Sequence, residues 1–188
     1  MIFSTSYKSP YLKDLIHLFI RIYNPKEAID LGTQQGGSAI LLARSMGEGK
    51  VFTFDTFKEH YDLPPFGTTH ANYQQALENI KMFKLEDRIS VINMNANDVH
   101  KLFDSIDLLH IDICNHYDNT LPLLKQWYKK VNKLIILEGG IHNNWQKKCG
   151  FKSFAPILDK RFIRTNYDKV TVAADEHYAV TILVRKCQ

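Results

Sequence analysis

The sequence predicts an α/β fold built on one doubly wound, mostly parallel sheet of seven strands that ends in an antiparallel hairpin. Short apolar runs alternate with segments of helical periodicity along most of the chain, as a series of βαβ units requires. The last two apolar runs, 169–173 and 178–184, are separated only by residues 174–177. So short a connection joins antiparallel strands, and the final strand is therefore expected to run against its neighbours.

The five strands before the hairpin are predicted from apolar runs bounded by glycine, proline or polar residues. They are expected at 28–31, 50–55, 88–93, 106–112 and 133–138. The last of these, Lys133 to Glu138, contains a continuous apolar run, which is typical of a central parallel strand buried on both faces.

Helices are expected before and between these strands, where apolar residues recur at intervals of three and four. The segments are 11–23, 39–44, 72–83, 98–103, 117–130 and 145–158. No repeat, low-complexity tract or linker interrupts the pattern. Residues 1–188 are therefore expected to form a single domain, with residues 1–24 as an N-terminal arm and helix.

The composition is that of an ordinary globular protein, with 45% hydrophobic and 23% charged residues. The net charge of +4 comes from 24 basic and 20 acidic residues, and this small surplus does not indicate nucleic acid as a partner. No apolar stretch approaches the roughly 18–20 residues that cross a bilayer, so no membrane partner is expected. Three cysteines without a pairing pattern favour a reducing compartment, and a cytoplasmic location is expected.

A glycine-rich segment follows the first strand and is the most informative part of the chain. Asp30-Leu-Gly32-Thr-Gln-Gln-Gly36-Gly37-Ser38 joins this strand to the next helix. Glycines at such a turn let a ligand approach the backbone closely. A second acid, Asp55, ends the second strand, where the ribose diol of a nucleotide is usually bound. Together the two features predict a site for an adenosine-like small molecule in a Rossmann-like fold.

This motif resembles that of the class I S-adenosylmethionine-dependent methyltransferases, and within them the macrocin O-methyltransferase and cephalosporin hydroxylase families. Three further segments in the same order are similar to theirs: Phe54-Asp55-Thr56-Phe57, His110-Ile111-Asp112 with Tyr117 five residues later, and Leu137-Glu138. The resemblance covers roughly residues 25–145. It implies a methyltransferase whose cofactor is S-adenosyl-L-methionine.

The resemblance also implies which residues contact the cofactor. They lie at or after the carboxyl ends of strands and are Asp30, Gly32, Thr33, Gly36, Gly37, Ser38, Asp55, Thr56, Phe57, Asn95, Ala96 and Asp112. The glycine segment would bind the amino-acid end, partly through backbone N–H groups at the helix start. Asp55 would accept both ribose hydroxyls. Thr56, Phe57, Asn95 and Ala96 would surround the adenine.

In metal-dependent members of these families, acids at the ends of strands four and five bind a magnesium-like ion. Asp112 and Glu138 occupy those positions here, but Cys114 and Gly139 replace the accompanying acids. Two carboxylates with waters and substrate can hold Mg²⁺, because this ion keeps several waters. The same two residues could equally leave the site without a metal, and both alternatives stay open.

Three histidines are candidates for a general base, because each follows a strand at the edge where open α/β sheets bind ligands. They are His116, His142 and His177, and the alternative for each is an ordinary loop residue. His142 is preferred because it lies four residues after Glu138. The predicted catalytic set is therefore His142, Asp112 and His116.

The leading hypothesis is an S-adenosylmethionine-dependent methyltransferase that acts on a hydroxyl of a small polar metabolite or sugar. A catalytically silent cofactor-binding module that acts through a partner is the first alternative, favoured by Cys114 and Gly139. A nicotinamide-dependent oxidoreductase is disfavoured, because Gln34 stands where Gly-x-Gly-x-x-Gly has its middle glycine. A homodimer is expected only because dimers are the commonest oligomers.

Overall fold

A computed structural model describes residues 9–57, 71–113, 116–141, 152–173 and 179–187. Seven strands form one sheet in the order β3-β2-β1-β4-β5-β7-β6. Their bounds are β1 Glu27–Leu31, β2 Lys50–Asp55, β3 Ile89–Asn93, β4 Ile106–Ile111, β5 Val131–Glu138, β6 Tyr167–Ala173 and β7 Ala179–Arg185. The predicted strand count and sequence order are confirmed.

Helices flank this sheet on both faces. They are α1 Pro10–Tyr23, α2 Gly37–Met46, α3 Tyr73–Met82, α4 Ala96–Val99, α5 Tyr117–Trp127 and α6 Arg161–Asn166, with a 3₁₀ helix at Ala155–Asp159. One apolar core lies between the sheet and α1, α2 and α3, and a second lies between the sheet and α5, the 3₁₀ helix and α6. The protein is therefore a three-layer α/β/α structure.

The pairing of the strands agrees with the sequence prediction. β3, β2, β1, β4 and β5 run parallel, whereas β7 is antiparallel to both β5 and β6. The strand order reverses direction between β1 and β4, so their carboxyl ends flank the crevice where open α/β sheets bind ligands. In the register, Asp30 on β1 lies opposite Thr53 on β2 and His110 on β4.

Three helical expectations were wrong in their bounds or type. The predicted helix 98–103 is α4, which begins at Ala96 because the Asn95 side chain accepts a hydrogen bond from the N–H of Asn97 and caps it. The helix predicted to reach residue 130 ends at Trp127. Of the predicted helix 145–158, only 152–158 is described, and Ala155 and the residues after it form a 3₁₀ turn. α6 was not predicted.

Among the helices of the described ranges, none is both long enough and apolar enough to cross a bilayer.

Candidate functional site

The turn after β1 brings the carboxyl ends of three strands together. Gly32 has a φ of 109°, and its N–H donates to the carbonyl of Phe54 at the end of β2 over 2.9 Å. The N–H of Asp112, just after β4, donates to the carbonyl of Leu31. A side chain at position 32 would collide with the carbonyl of Asp112. Only glycine fits here, since its φ and the closeness of the Asp112 backbone both exclude a Cβ.

A buried carboxylate lies directly beneath this turn. Asp30 is completely buried, and its Oδ1 lies 2.6 Å from Nδ1 of His110. Its Oδ2 accepts hydrogen bonds from the hydroxyls of Ser38 at 2.9 Å and Thr53 at 2.7 Å. The hydroxyls of Thr53 and Thr33 are 2.6 Å apart, which extends this network into the turn. β1, β2, β4 and the first turn of α2 are thus joined through one side chain.

The network also raises the pKa of His110. Complete burial alone would lower the pKa of His110, because it disfavours the charged imidazolium. The hydrogen bond to Asp30, the negative charge of Asp30 and that of Asp112 outweigh burial and raise the pKa of His110 above 6.5. Pairing with Asp30 therefore favours the charged form of His110, which burial alone would disfavour.

A second carboxylate holds the turn from the side of β2. Asp55 is buried, its Oδ2 accepts the N–H of Gln34 at 2.9 Å, and its Oδ1 accepts the N–H of Phe57 at 3.0 Å. Gln34 and Phe57 have φ values of 46° and 48°, a left-handed conformation that non-glycine residues adopt at a cost. The Asp55 side chain therefore holds both the glycine turn and the first residues after β2.

The residues predicted to surround adenine lie beside this second carboxylate. Thr56 and Phe57 are half-buried, and the ring of Phe57 meets Tyr73 edge-on with a centroid distance of 5.1 Å. Asn95 is exposed, and its side-chain oxygen caps α4, whereas Ala96 is half-buried at the first position of that helix. The aromatic pair gives this edge of the crevice an apolar wall.

Asp112 and Glu138 follow neighbouring positions on β4 and β5, since Ile111 pairs with Leu137. Both are half-buried. Within the described ranges, no group of three or more histidine, cysteine, aspartate or glutamate side chains is placed to hold a metal ion. Within those ranges, Asp112 and Glu138 therefore supply two carboxylates at this point and belong to no larger set of metal donors.

The predicted base candidates are only partly described. His116 precedes α5, and its Nδ1 accepts the N–H of Asp118 at 3.4 Å. Its backbone forms a bridge with Ser153, which links it to the segment before the 3₁₀ helix. His142, His177 and Cys114 lie outside the described residues. His116 alone among the histidine candidates is therefore placed, at the start of the helix that follows β4.

The sequence interpretation missed Thr53 and the role of His110. Thr53 lies within β2 and His110 lies near the end of β4, and most other residues of these two strands are buried. A buried polar side chain must find a partner, so single polar residues in adjacent apolar strands are a signal that they meet. The same argument applies to Asp30, whose oxygens bind side chains inside the protein.

The described residues also form a cavity of about 840 Å³ at another place. It lies near the first residues of β6, lined by residues that include Arg161, Arg164, Lys169 and Lys186. Tyr167 pairs with Arg185 there, beside the amino end of β5, so this cavity opens at the opposite edge of the sheet from the glycine turn. It is not the predicted cofactor site.

The fold and the glycine turn together define a class I S-adenosylmethionine-dependent methyltransferase fold. A family model described as a methyltransferase domain matches residues 29–137, which is more than half of the chain. The chain therefore belongs to this methyltransferase-domain family. The match runs from β1 to the end of β5 and includes Asp30, Asp55 and Asp112. No curated protein sequence matches the chain.

Solved structures share the fold at low sequence identity. An O-methyltransferase from Bacillus cereus in complex with SAH is 20% identical, with a TM-score of 0.70 over 95% of this chain and 82% of that one. TomG, a Streptomyces achromogenes O-methyltransferase of tomaymycin synthesis in complex with SAM, is 15% identical, with a TM-score of 0.69 over 95% and 81%. A proposed rRNA methylase from Clostridium thermocellum is 15% identical, with a TM-score of 0.65 over 100% and 99%.

The glycine turn generates a first prediction. Gly32→Ala introduces a Cβ that both strains a positive φ and overlaps the Asp112 carbonyl. Gly47→Ala is the matched control, because Gly47 has a φ of 72° but open space around its Cβ position. We expect the control to lower the free energy of unfolding by about 1–2 kcal/mol and Gly32→Ala to lower it by clearly more. Urea unfolding measures both, and equal losses would contradict the close packing described here.

The buried pair generates a second prediction. Because the folded pKa of His110 is raised, its protonation stabilises the fold fully below about pH 6.5, its unfolded value, and this contribution is lost as pH rises through the folded pKa. The difference in unfolding free energy between wild type and His110→Asn should therefore shrink from pH 6 towards pH 9. Urea unfolding across this pH range measures it. A difference that grows with pH would show that His110 is neutral when folded.

Proposed function

We propose that this chain binds S-adenosyl-L-methionine across the carboxyl ends of β1 and β2 and transfers its methyl group to a hydroxyl of a small polar molecule, such as a sugar. The single observation that carries the proposal is the buried carboxylate of Asp55, which holds Gln34 in the glycine turn and Phe57 after β2 at the carboxyl edge of the sheet. Membership of the methyltransferase-domain family supports the same function.

The amino-acid end of the cofactor would lie at the start of α2. The first N–H groups of a helix have no acceptor within the helix, and they favour a negatively charged ligand. In α2 these groups include Gly37 and Ser38, which carry little or no side chain above the backbone. The hydroxyl of Ser38 is directed into the buried network towards Asp30, so the backbone is what this helix offers to a carboxylate.

The ribose would be bound by Asp55. Asp55 accepts the N–H groups of Gln34 and Phe57, and the two oxygens of an ionised carboxylate are also suitable acceptors for the two hydroxyls of a ribose. The two backbone N–H groups also fix the orientation of the carboxylate before the ligand binds. A group fixed in advance loses less conformational entropy when the ligand is bound. Phe57 and Tyr73 would then contact the adenine from its apolar side.

When bound, S-adenosylmethionine supplies an electrophilic methyl group on a positively charged sulfur. The residues of the chain hold the acceptor hydroxyl in line with it and accept its proton. Asp112 lies at the end of β4, next to Gly32, where the crevice meets the acceptor side. His116 directly precedes the following helix, and an imidazole is a suitable base near neutral pH. His142 is the further candidate for this proton transfer. Correct positioning of the two reactants can supply much of the rate acceleration.

A magnesium ion at Asp112 and Glu138 is not required by this proposal. These two half-buried carboxylates would also orient an acceptor hydroxyl by accepting hydrogen bonds from it.

A cytoplasmic location is part of the same proposal, because that compartment supplies both the cofactor and small polar acceptors.

The cofactor assignment is tested by Asp55→Ala. We expect a loss in affinity for S-adenosylhomocysteine of about 1–3 kcal/mol, because the variant removes hydrogen bonds to a charged acceptor. That loss corresponds to a dissociation constant roughly 5- to 150-fold higher, which titration calorimetry measures. Asp87→Ala, which changes an exposed aspartate before β3, is the control and should bind as wild type does. Unchanged affinity in Asp55→Ala, with its fold verified by circular dichroism, would contradict the ribose assignment.

The reaction is tested by following formation of S-adenosylhomocysteine with a panel of sugars and other hydroxyl compounds, with ribosomal RNA as a separate arm. We expect turnover with a small acceptor, little effect of a chelator, and a large decrease in turnover for Asp112→Asn, because the amide removes the negative charge beside the acceptor. Methylation of RNA alone would overturn the small-molecule assignment. Tight cofactor binding without turnover on any acceptor would instead favour the silent binding module.

A further inference from the structure

Helix α1 carries apolar side chains on two neighbouring faces. The face that packs on the sheet is buried and consists of Leu12, Ile16 and Ile20. A second set remains in contact with solvent: Tyr11, Leu18 and Ile22 are 79%, 53% and 64% exposed. Isolated exposed apolar residues are common, but three on one short helix form a patch that needs an explanation.

The exposed residues follow the spacing of a coiled-coil seam. Tyr11, the half-buried Leu15, Leu18 and Ile22 are separated by intervals of four, three and four residues. At about 100° per residue they fall within a strip about 60° wide that runs along the helix. We call these four residues the α1 strip.

The α1 strip lies on the flank of the helix that is turned away from α2. On the opposite flank, Nδ1 of His17 lies 3.1 Å from the hydroxyl of Ser45 on α2. Beyond the strip, the sheet continues to β7 and the edge strand β6. Val170 and Val172 of β6 are 38% and 37% exposed. They pair with Ile182 and Val180, which belong to the same core as α1. The strip and the two valines therefore lie on one face of the sheet.

Two charged residues border the α1 strip on its solvent side. Asp14 and Arg21 are both exposed and are one heptad apart. If a second α1 packs antiparallel on the strip, Asp14 lies beside Arg21 of the partner subunit, and Arg21 lies beside Asp14 of the partner subunit. A parallel arrangement would place Asp14 beside an apolar residue, Phe19 of the partner subunit. The charges are therefore complementary to the same surface turned by a two-fold axis.

We propose that this chain forms a homodimer through antiparallel packing of α1 on α1 of a second copy. The apolar layers match in the same arrangement, with Leu15 facing Leu18 of the partner subunit and Tyr11 facing Ile22 of the partner subunit. Such self-complementarity is what a two-fold interface between identical chains requires. The exposed valines of β6 lie on the same face of the sheet and extend the apolar surface beyond the strip.

The oligomeric state is tested by sedimentation velocity of the full chain over a series of concentrations. We expect wild type to sediment at twice its mass of 21.8 kDa. Leu18→Glu should raise the dimer dissociation constant by at least about thirtyfold, because it places a charge in the centre of the interface in both copies. Leu102→Glu is the matched control, since Leu102 is 55% exposed and lies after α4. It should dimerise as wild type does, and circular dichroism should show that both variants are folded.

The antiparallel direction is tested by exchanging the charges. Arg21→Asp should weaken the dimer, and the double variant Asp14→Arg/Arg21→Asp should restore it, because the complementary pairs are rebuilt with opposite polarity. A wild-type chain that stays monomeric at every concentration would overturn the proposal, whether residues 1–8 or another protein cover the strip. So would a dimer that survives Leu18→Glu. A double variant that stays as weak as Arg21→Asp would overturn the antiparallel arrangement.

Discussion

The structure depends on one buried carboxylate and the groups that neutralise it. Asp30 lies in the middle of the sheet with no exposed surface, and an unpaired charge in such a position would cost several kcal/mol. Its partners come from β4, β2 and α2, so those elements must take their observed positions for the charge to be satisfied. Breaking such a network by removing one partner typically costs about 3–5 kcal/mol. The hydrogen bonds of Asp30 therefore support the glycine turn that follows β1.

Asp55 completes the same arrangement from the side. The first carboxylate holds strands and a helix below the turn, and the second holds backbone N–H groups at the level where a ligand would lie. Gln34 and Phe57 have left-handed backbone conformations, and the N–H groups of both donate to Asp55. Local backbone strain and a fixed carboxylate therefore lie at the same point. Such coincidence of strain and a fixed charged group is typical of binding sites. Two aspartates of adjacent strands therefore hold the glycine turn, which is the place where the proposed cofactor would bind.

Much of this was predictable from the sequence, for identifiable reasons. The apolar run of β5 and the short connection between β6 and β7 are local signals, and both were interpreted correctly. Asp30, Ser38 and Thr33 were predicted to contact the cofactor. In the structure, the hydroxyls of Ser38 and Thr53 donate to Asp30, and the hydroxyl of Thr33 lies against that of Thr53. Register between strands determines those contacts, and no local pattern specifies it. The 3₁₀ helix at Ala155 was not predicted as such, and neither was the capped start of α4. One side-chain hydrogen bond fixes that start.

A cofactor that binds over the turn held by Asp30 and Asp55 must perturb the amides of that turn. Titration of the ¹⁵N-labelled chain with S-adenosylhomocysteine, followed through its amide resonances, measures this. We expect saturable shifts that are largest at Gln34, Phe57 and the first residues of α2, because these amides lie at the carboxylate of Asp55 or at the helix start. Shifts confined to the cavity around Arg161 and Lys169, or no saturable shifts at all, would contradict it.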